Sequence, residues 1–135
     1  MRVSKLHGLR NDFLVVLDEA NPSPVAVDGD LARRMCYRRS GLGADGLIHG
    51  ARPAEGSDVD VVMHLFNADG GRAEMSGNGI RCLAHAVARS RRLDRGTIVV
   101  ATDAGPRELV VEPTGDPGQV VVRVDMGLVR PGPDL

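Results

Sequence analysis

Residues 65–82 read LFNADGGRAEMSGNGIRC and combine three local signals in one continuous segment. Alternating apolar residues predict a β-strand from Val59 to Asn67. The following Asp-Gly pair is typical of a turn. A helix is then predicted from Asn78 to Arg91, and the arginines near its end suit a helix C-terminus. A strand, a turn and a glycine-rich helix entrance in direct succession indicate an active-site segment.

The rest of the chain is rich in strands. Apolar alternation, interrupted by Gly, Pro and Asp, predicts six further strands. They are Val3–Gly8, Phe13–Leu17, Gly46–Ala51, Thr97–Thr102, Glu108–Glu112 and Val120–Met126. A second helix is predicted from Leu31 to Arg38, with Asp28 or Asp30 as its N-cap.

These elements predict an α+β fold. The helix from Asn78 to Arg91 is apolar around most of its circumference, which indicates that most of it is buried. We therefore expect a curled, mixed or antiparallel β-sheet of barrel-like form wrapped around a central helix. A helix lying on one face of an open sheet is the alternative.

Composition excludes several classes of function. The net charge of −1 gives no long-range attraction to nucleic acid or to an anionic membrane. No apolar run approaches the ~20 residues that span a bilayer, and the amino terminus lacks a signal-type apolar core. We expect a cytoplasmic protein. Cys36 and Cys82 lie in predicted helices and are expected to be buried, reduced thiols, and the four histidines are too scattered for a metal site.

A second glycine-rich motif, GLGADG at residues 41–46, matches the dinucleotide pattern G-x-G-x-x-G. That pattern indicates a nucleotide site only between a strand and the helix that follows it. Here a predicted helix precedes the motif and a predicted strand follows it. We therefore interpret the motif as a helix C-cap and a turn into the strand.

The candidate site residues each have two interpretations. Asn67 ends its strand on the same face as the apolar residues, so its amide either meets a ligand or simply begins the turn. Ser76-Gly77-Asn78-Gly79 opens a helix whose first N–H groups lack partners, so it either binds a carboxylate or is an ordinary helix cap. Asn11 lies in a polar loop within residues 5–13, and nearby His7 is expected to be a structural or surface histidine.

Three segments, residues 5–13, 41–46 and 66–82, together resemble the diaminopimelate epimerase family in sequence and in order. Ala101–Pro106 and Val124–Gly127 also resemble the first lobe of that family. One residue departs from the family pattern, because Ser76 stands where the family has a cysteine that acts as proton acid and base. The resemblance implies that residues 1–128 are the amino-terminal epimerase lobe and that residues 129–135 begin an inter-lobe linker.

The resemblance also implies a function and a set of site residues. The family inverts the α-carbon of LL-diaminopimelate to the meso form without a cofactor, in lysine and peptidoglycan precursor synthesis. Asn11 and Asn67 would bind polar groups of this small amino-acid substrate, and Gly77 and Asn78 would hold its α-carboxylate. Ser76 takes the position of the catalytic base.

The carboxy-terminal lobe, which would supply the second base, is absent from this chain, so the chain alone is expected to be inactive. Apolar surface that the second lobe would cover allows the chain to form a homodimer. Two explanations of Ser76 stay open, a natural variant and a deliberate Cys-to-Ser change. Two other functions also stay open: a related racemase, epimerase or hydroxyproline dehydratase-type enzyme, and a non-catalytic amino-acid-binding domain. A serine hydroxyl does not ionise without a neighbouring base, so Ser76 should abstract protons poorly.

Overall fold

A computed structural model of the chain describes residues 1–8, 11–23, 25–74, 76–114 and 120–125. The expected boundary between a lobe ending at residue 128 and a linker over residues 129–135 lies outside these described residues, as does Met126. In the described ranges, no helix combines the length and the apolar character needed to cross a bilayer.

The described part of the chain forms one sheet of seven strands, which lie in the sheet in the same order as in the sequence. Neighbouring strands are antiparallel, except that β2 runs parallel to β3 and β4 runs parallel to β5. The strands are β1 (Ser4–Gly8), β2 (Asn11–Leu17), β3 (Gly46–Ala51), β4 (Val61–Asn67), β5 (Gly96–Thr102), β6 (Gly105–Pro113) and β7 (Val120–Asp125). All seven predicted strands are confirmed in the described ranges, and the sheet is mixed.

A helix connects the two strands of each parallel pair. α1 (Gly29–Cys36) lies between β2 and β3, and α2 (Gly77–Ser90) lies between β4 and β5. A short 3-10 turn, Asp18–Ala20, precedes α1 and is not predicted by the sequence patterns. Whereas α1 packs on β3 and β4, α2 contacts every one of the seven strands. A sheet of this width reaches a single helix with all its strands only by curling around it. The predicted wrapped architecture is therefore confirmed, and the open-sheet alternative is wrong.

The alternation within β2 separates two apolar cores. Val15 and Leu17 face α2 in the larger, inner core, whereas Leu14 and Val16 face α1 in the smaller, outer core. The inner core also contains most of the buried residues of α2. The buried residues of α2 are Gly79, Ile80, Cys82, Leu83, Ala84, Ala86, Val87 and Ala88.

Asp28, one of the two expected N-caps, caps the start of α1. The Asp28 carboxylate accepts a hydrogen bond of 2.8 Å from the backbone N–H of Leu31. The helix ends at Cys36, two residues earlier than predicted, because Tyr37 has extended backbone angles of φ −65° and ψ 122°. The backbone N–H groups of Leu42 and Gly43 then both donate to the carbonyl oxygen of Met35.

The glycine-rich motif is a tight turn, as interpreted. A side chain at Gly41 would collide with the carbonyl oxygens of Arg34 and Met35, and Gly43 has a positive φ of 76° that glycine adopts without strain. The motif follows a helix and precedes β3, so its position is opposite to that of a dinucleotide loop. Its glycines serve close backbone packing.

Candidate functional site

Four strand ends and the start of α2 meet at one end of the curled sheet. Gly8 at the end of β1 pairs with Asn11 at the start of β2, and Gly46 at the start of β3 pairs with Asn67 at the end of β4. Phe13 of β2 is the parallel partner of Gly46. A side chain built on Gly8 would lie 3.7 Å from Cβ of Asn78 in α2. The candidate residues from three separate segments therefore share one end of the fold.

Ser76 is the N-cap of α2. Its backbone is extended, with φ −115° and ψ 128°, and its Oγ accepts a hydrogen bond of 3.0 Å from the backbone N–H of Gly79. The N–H of Ile80 donates to the carbonyl oxygen of Ser76 at 2.9 Å. Ser76 therefore caps the helix, as one of the two interpretations predicts. This cap does not use the backbone N–H groups of the next two residues. Within the described residues, the N–H groups of Gly77 and Asn78 have no hydrogen-bond partner.

These two N–H groups form a positive, open surface, which we call the α2 entrance (residues 76–79). The helix macrodipole places about half a positive charge there. The space beside Gly77 is open, since a Cβ at this position would approach only Nη1 of Arg81, at 3.4 Å. The Arg81 side chain folds back along the helix, and its Nε donates to the carbonyl oxygen of Val122 in β7 at 3.3 Å. The entrance therefore combines two free donors with a nearby cation, which is chemistry suited to a carboxylate.

Asn11 and Asn78 are in direct contact, although they are 67 positions apart in the sequence. Nδ2 of Asn78 donates to Oδ1 of Asn11 at 2.8 Å. The structure therefore brings four of the five candidate residues together: Asn11, Ser76, Gly77 and Asn78.

Asn67 lies at the same end of the sheet but is not hydrogen-bonded to the α2 entrance in the described part of the chain. Its backbone begins the turn, since its N–H donates to the carbonyl oxygen of Gly71 at 2.8 Å and its own carbonyl accepts from Gly70 at 2.9 Å. The side chain is exposed and has no hydrogen-bond partner among the described residues. Asn67 thus starts the turn and also leaves its amide available.

Sequence reasoning missed a charged network beside this site. Nη2 of Arg38 lies 3.0 Å from Oδ1 of Asp12 and 3.2 Å from Oδ1 of Asp45. Each aspartate side chain also accepts a hydrogen bond from the backbone of the other aspartate. The N–H of Asp12 donates to Oδ2 of Asp45 at 3.0 Å, and the N–H of Asp45 donates to Oδ1 of Asp12 at 2.9 Å. Nδ2 of Asn11 donates to the same Oδ2 of Asp45 at 3.4 Å. The network therefore continues into the candidate site.

Asp12 is the buried member of this network. Its hydrogen bond from Arg38, aided by the N–H of Asp45, holds the pKa of this carboxyl far below its usual range, although burial acts in the opposite direction. Lys5 adds a further positive charge, with Nζ 3.6 Å from Oδ2 of Asp12. A signal for the network existed in the sequence, because Asp12 is a charged residue directly before the apolar run from Phe13 to Leu17.

The two cysteines do not supply a base in place of Ser76. Both are free and buried, as expected. Burial raises the pKa of Cys82 to about 11 and also raises the pKa of Cys36. Cys36 borders a cavity of about 500 Å³ on the outer face, together with Tyr37, Arg38 and Asp45. A thiol with a raised pKa is mostly protonated at neutral pH, so neither residue is an activated nucleophile. His7 is exposed on β1.

The family model described as diaminopimelate epimerase matches residues 3–131 of this chain. The chain belongs to the diaminopimelate epimerase family. A relative named diaminopimelate epimerase in Moorella thermoacetica is 45% identical over 134 residues, which cover 94% of this chain and 44% of the relative. The diaminopimelate epimerase of Methanocella arvoryzae is 39% identical over 127 residues, with the same two coverages. This family member thus spans less than half the length of the curated relatives it matches.

Two solved structures of proteins with other names have a similar fold. A hydroxyproline epimerase from Agrobacterium vitis, solved with bound trans-4-hydroxy-L-proline, matches with a TM-score of 0.57 over 84% of this chain and 37% of that chain. A PhzF-family phenazine biosynthesis protein from Bacillus anthracis matches with a TM-score of 0.57 over 90% of this chain and 38% of that chain. Both are 16% identical to this family member, so they establish the fold alone.

The charged network should make the stability of the chain depend on pH in the acid range. Because the pKa of Asp12 is lowered in the folded state, its stabilising effect is complete above the ordinary carboxyl pKa of about 3.9 and is lost as the pH falls below it. Asp12→Asn should therefore lower the free energy of unfolding at pH 7 and flatten its decline between about pH 5 and pH 2. Urea unfolding followed by circular dichroism at several pH values measures both effects.

Asp58→Asn is the matched control, because Asp58 is exposed and forms no ion pair in the described part of the chain. In this variant the free energy of unfolding should depend on pH in the same way as in the parent chain. An Asp12→Asn variant as acid-sensitive as the parent would show that the Asp12–Arg38 pair does not stabilise the fold.

Proposed function

We propose that this chain is the amino-terminal lobe of an amino-acid epimerase and that its α2 entrance holds the α-carboxylate of the substrate. The observation that carries this proposal is the pair of unpartnered N–H groups at Gly77 and Asn78, next to the guanidinium of Arg81. A carboxylate accepts from two such donors at once, and both the dipole and the arginine favour its negative charge. Membership of the diaminopimelate epimerase family supports the same assignment.

The substrate that we propose is LL-diaminopimelate, converted to the meso form by a cofactor-independent, two-base inversion. The matching relatives are named for this substrate. In this proposal the amides of Asn11 and Asn67 bind further polar groups of the amino acid. A second candidate, an epimerase or dehydratase acting on hydroxyproline, is favoured by the fold shared with the Agrobacterium vitis protein.

Two-base inversion requires one group to remove the α-proton while another returns a proton from the opposite face. The α2 entrance contributes the stabilisation of charge that develops on the carboxylate as the proton leaves. Ser76 occupies the position of one base, but an unassisted hydroxyl is a weak acid and its Oγ already accepts a hydrogen bond from Gly79. We therefore propose that a second lobe, outside this chain, supplies the strong base and closes the cleft.

The carboxylate assignment can be tested by titrating the chain with three ligands in ¹H–¹⁵N NMR spectra. LL-diaminopimelate carries both amino groups and both carboxylates, pimelate lacks the amino groups, and 1,5-diaminopentane lacks the carboxylates. The first two should shift the amide resonances of Gly77 and Asn78, whereas the diamine should not. Equal shifts with the diamine, or shifts confined to other residues, would contradict the assignment.

Gly77→Pro sharpens this test, because it removes one proposed donor at the first position of a helix, where proline is tolerated. The extended backbone of Ser76 also suits a residue before proline. The variant should bind pimelate about tenfold more weakly, as expected for the loss of one charge-assisted hydrogen bond, with an unchanged circular dichroism spectrum. Gly96→Ala is the control, because its Cβ would meet nothing closer than Leu93 Cδ1 at 3.9 Å.

The chain by itself should be inactive, because half of the proposed cleft and one base are absent. Incubation with LL-diaminopimelate in deuterated water should therefore give no deuterium at the α-carbon, as measured by mass spectrometry. Exchange catalysed by the chain alone would refute the need for a second lobe. In a protein that carries a second lobe, exchange with trans-4-hydroxy-L-proline and not with diaminopimelate would favour the second candidate substrate.

A thiol at position 76 should be acidic. In Ser76→Cys, the positive end of α2 and the nearby Arg81 should lower the thiol pKa below the usual value of about 8.5. The pH dependence of iodoacetamide labelling measures this pKa, while Cys36 and Cys82 should react slowly because burial raises their pKa values. Ser23→Cys, in an exposed segment outside any helix, is the control. If the thiol pKa at position 76 is no lower than the thiol pKa at position 23, the α2 entrance does not stabilise a negative charge.

A further inference from the structure

We propose that Asp45 is a positioning residue, which orients the amide of Asn11 and through it the amide of Asn78, so that Oδ1 of Asn78 accepts a hydrogen bond from the ammonium group of the substrate. The part of this inference that concerns the ligand rests on the proposed function. The part that concerns the amide orientation rests on the hydrogen bonds of the chain itself.

Asp45 determines which way Asn11 faces. An ionised carboxylate only accepts hydrogen bonds, so the group of Asn11 that faces it must be the NH₂ group. Nδ2 of Asn11 accordingly donates to Oδ2 of Asp45 at 3.4 Å. With this end of the amide fixed, the oxygen of Asn11 faces the opposite way, towards α2.

Asn11 in turn determines which way Asn78 faces. Its Oδ1 is an acceptor, so Asn78 must offer it an N–H, and Nδ2 of Asn78 does so at 2.8 Å. The amide oxygen of Asn78 then remains, and it has no hydrogen-bond partner within the described residues. One carboxylate thus fixes the polarity of two consecutive amides.

Asp45 is itself held firmly enough to act in this way. Its Oδ1 lies 3.2 Å from Nη2 of Arg38, and its Oδ2 also accepts from the N–H of Asp12 at 3.0 Å. Its carbonyl oxygen accepts from the N–H of Ala68 at 3.2 Å, which ties it to the turn after β4. The charged network beside the site therefore sets the orientation of Asp45.

This orientation gives the α2 entrance two chemically different subsites on one residue. The backbone N–H of Asn78, with that of Gly77, offers donors to a carboxylate, whereas Oδ1 of Asn78 offers an acceptor to a cation. An α-amino acid carries a carboxylate and an ammonium group on the same carbon. Asp45 should therefore make the entrance prefer α-amino acids over carboxylates that lack the amino group.

The orientation can be measured without a ligand, by NMR detection of scalar coupling across hydrogen bonds. The parent chain should show coupling between Nδ2 of Asn78 and Cγ of Asn11. Absence of this coupling, or coupling in the reverse direction from Asn11 to Asn78, would overturn the proposal whether or not any variant folds.

Two substitutions test the role of Asp45. Asp45→Ala removes the acceptor and should abolish the coupling between Asn78 and Asn11. Asp45→Asn loses the contact with Arg38, because its NH₂ group takes the place of Oδ1, but it should retain the coupling, since its amide oxygen can still accept from Asn11 and from the N–H of Asp12 as Oδ2 does. Retention in the alanine variant, or loss in a folded asparagine variant, would overturn the proposal, because a purely structural role predicts no such rescue.

The preference for an amino group is the second measurement. In NMR titrations the parent chain and Asp45→Asn should bind LL-diaminopimelate more tightly than pimelate. In Asp45→Ala the ratio of the Kd for pimelate to the Kd for LL-diaminopimelate should be about tenfold smaller. An unchanged ratio in Asp45→Ala would refute the assigned role. If the parent chain bound neither ligand at Gly77 and Asn78, the proposed function and the ammonium subsite would fail together, whereas the coupling would still decide the role of Asp45 in the amide orientation.

Discussion

Burial of α2 is the constraint from which the rest of this fold follows. A helix that is apolar on nearly all sides cannot rest on one face of a flat sheet without exposing the opposite side to water, so strands must surround it. Alanine and glycine on the helix let those strands approach closely. Such a helix can present polar backbone only at its ends, and its first turn lies beside the end of β1 and the start of β2. The fold thus places two unsatisfied N–H groups at the edge of an apolar core.

In the proposed function, substrate binding and proton transfer place separate requirements on the residue at position 76. A serine is among the best N-cap residues, and its hydrogen bond to the N–H of Gly79 stabilises the start of α2 by about 1 kcal/mol. A cysteine is a weaker hydrogen-bond acceptor but a far stronger acid. Serine at this position thus favours helix stability and cysteine favours acidity, while the backbone N–H groups of the next two residues are present in either case.

Much of this architecture can be predicted from local patterns, because each of those patterns reflects a local cause. Alternation identifies all seven strands, and the reversed order of elements around residues 41–46 identifies a turn. β4 begins at Val61 and not at Val59, because the carboxylate of Asp60 accepts from the N–H of Val99 at 2.8 Å. The parallel pairing of β2 with β3 and the network around Asp12 depend on contacts between distant segments. No short window of sequence contains both β2 and β3, or Asp12 together with Arg38 and Asp45, so local patterns mark Asp12 as unusual but do not reveal these partners.

The position of Arg81 has a consequence for the electrostatics of the start of α2. Its guanidinium lies beside Gly77, near the positive end of the α2 macrodipole, where a cation is unfavourable. The link from its Nε to the carbonyl oxygen of Val122 retains it there. In the proposed function, an anion bound at the α2 entrance neutralises this positive charge and therefore favours the folded chain over the unfolded one. If the proposed site binds anions, carboxylate or phosphate buffers should raise the melting temperature of this chain more than chloride does at equal ionic strength.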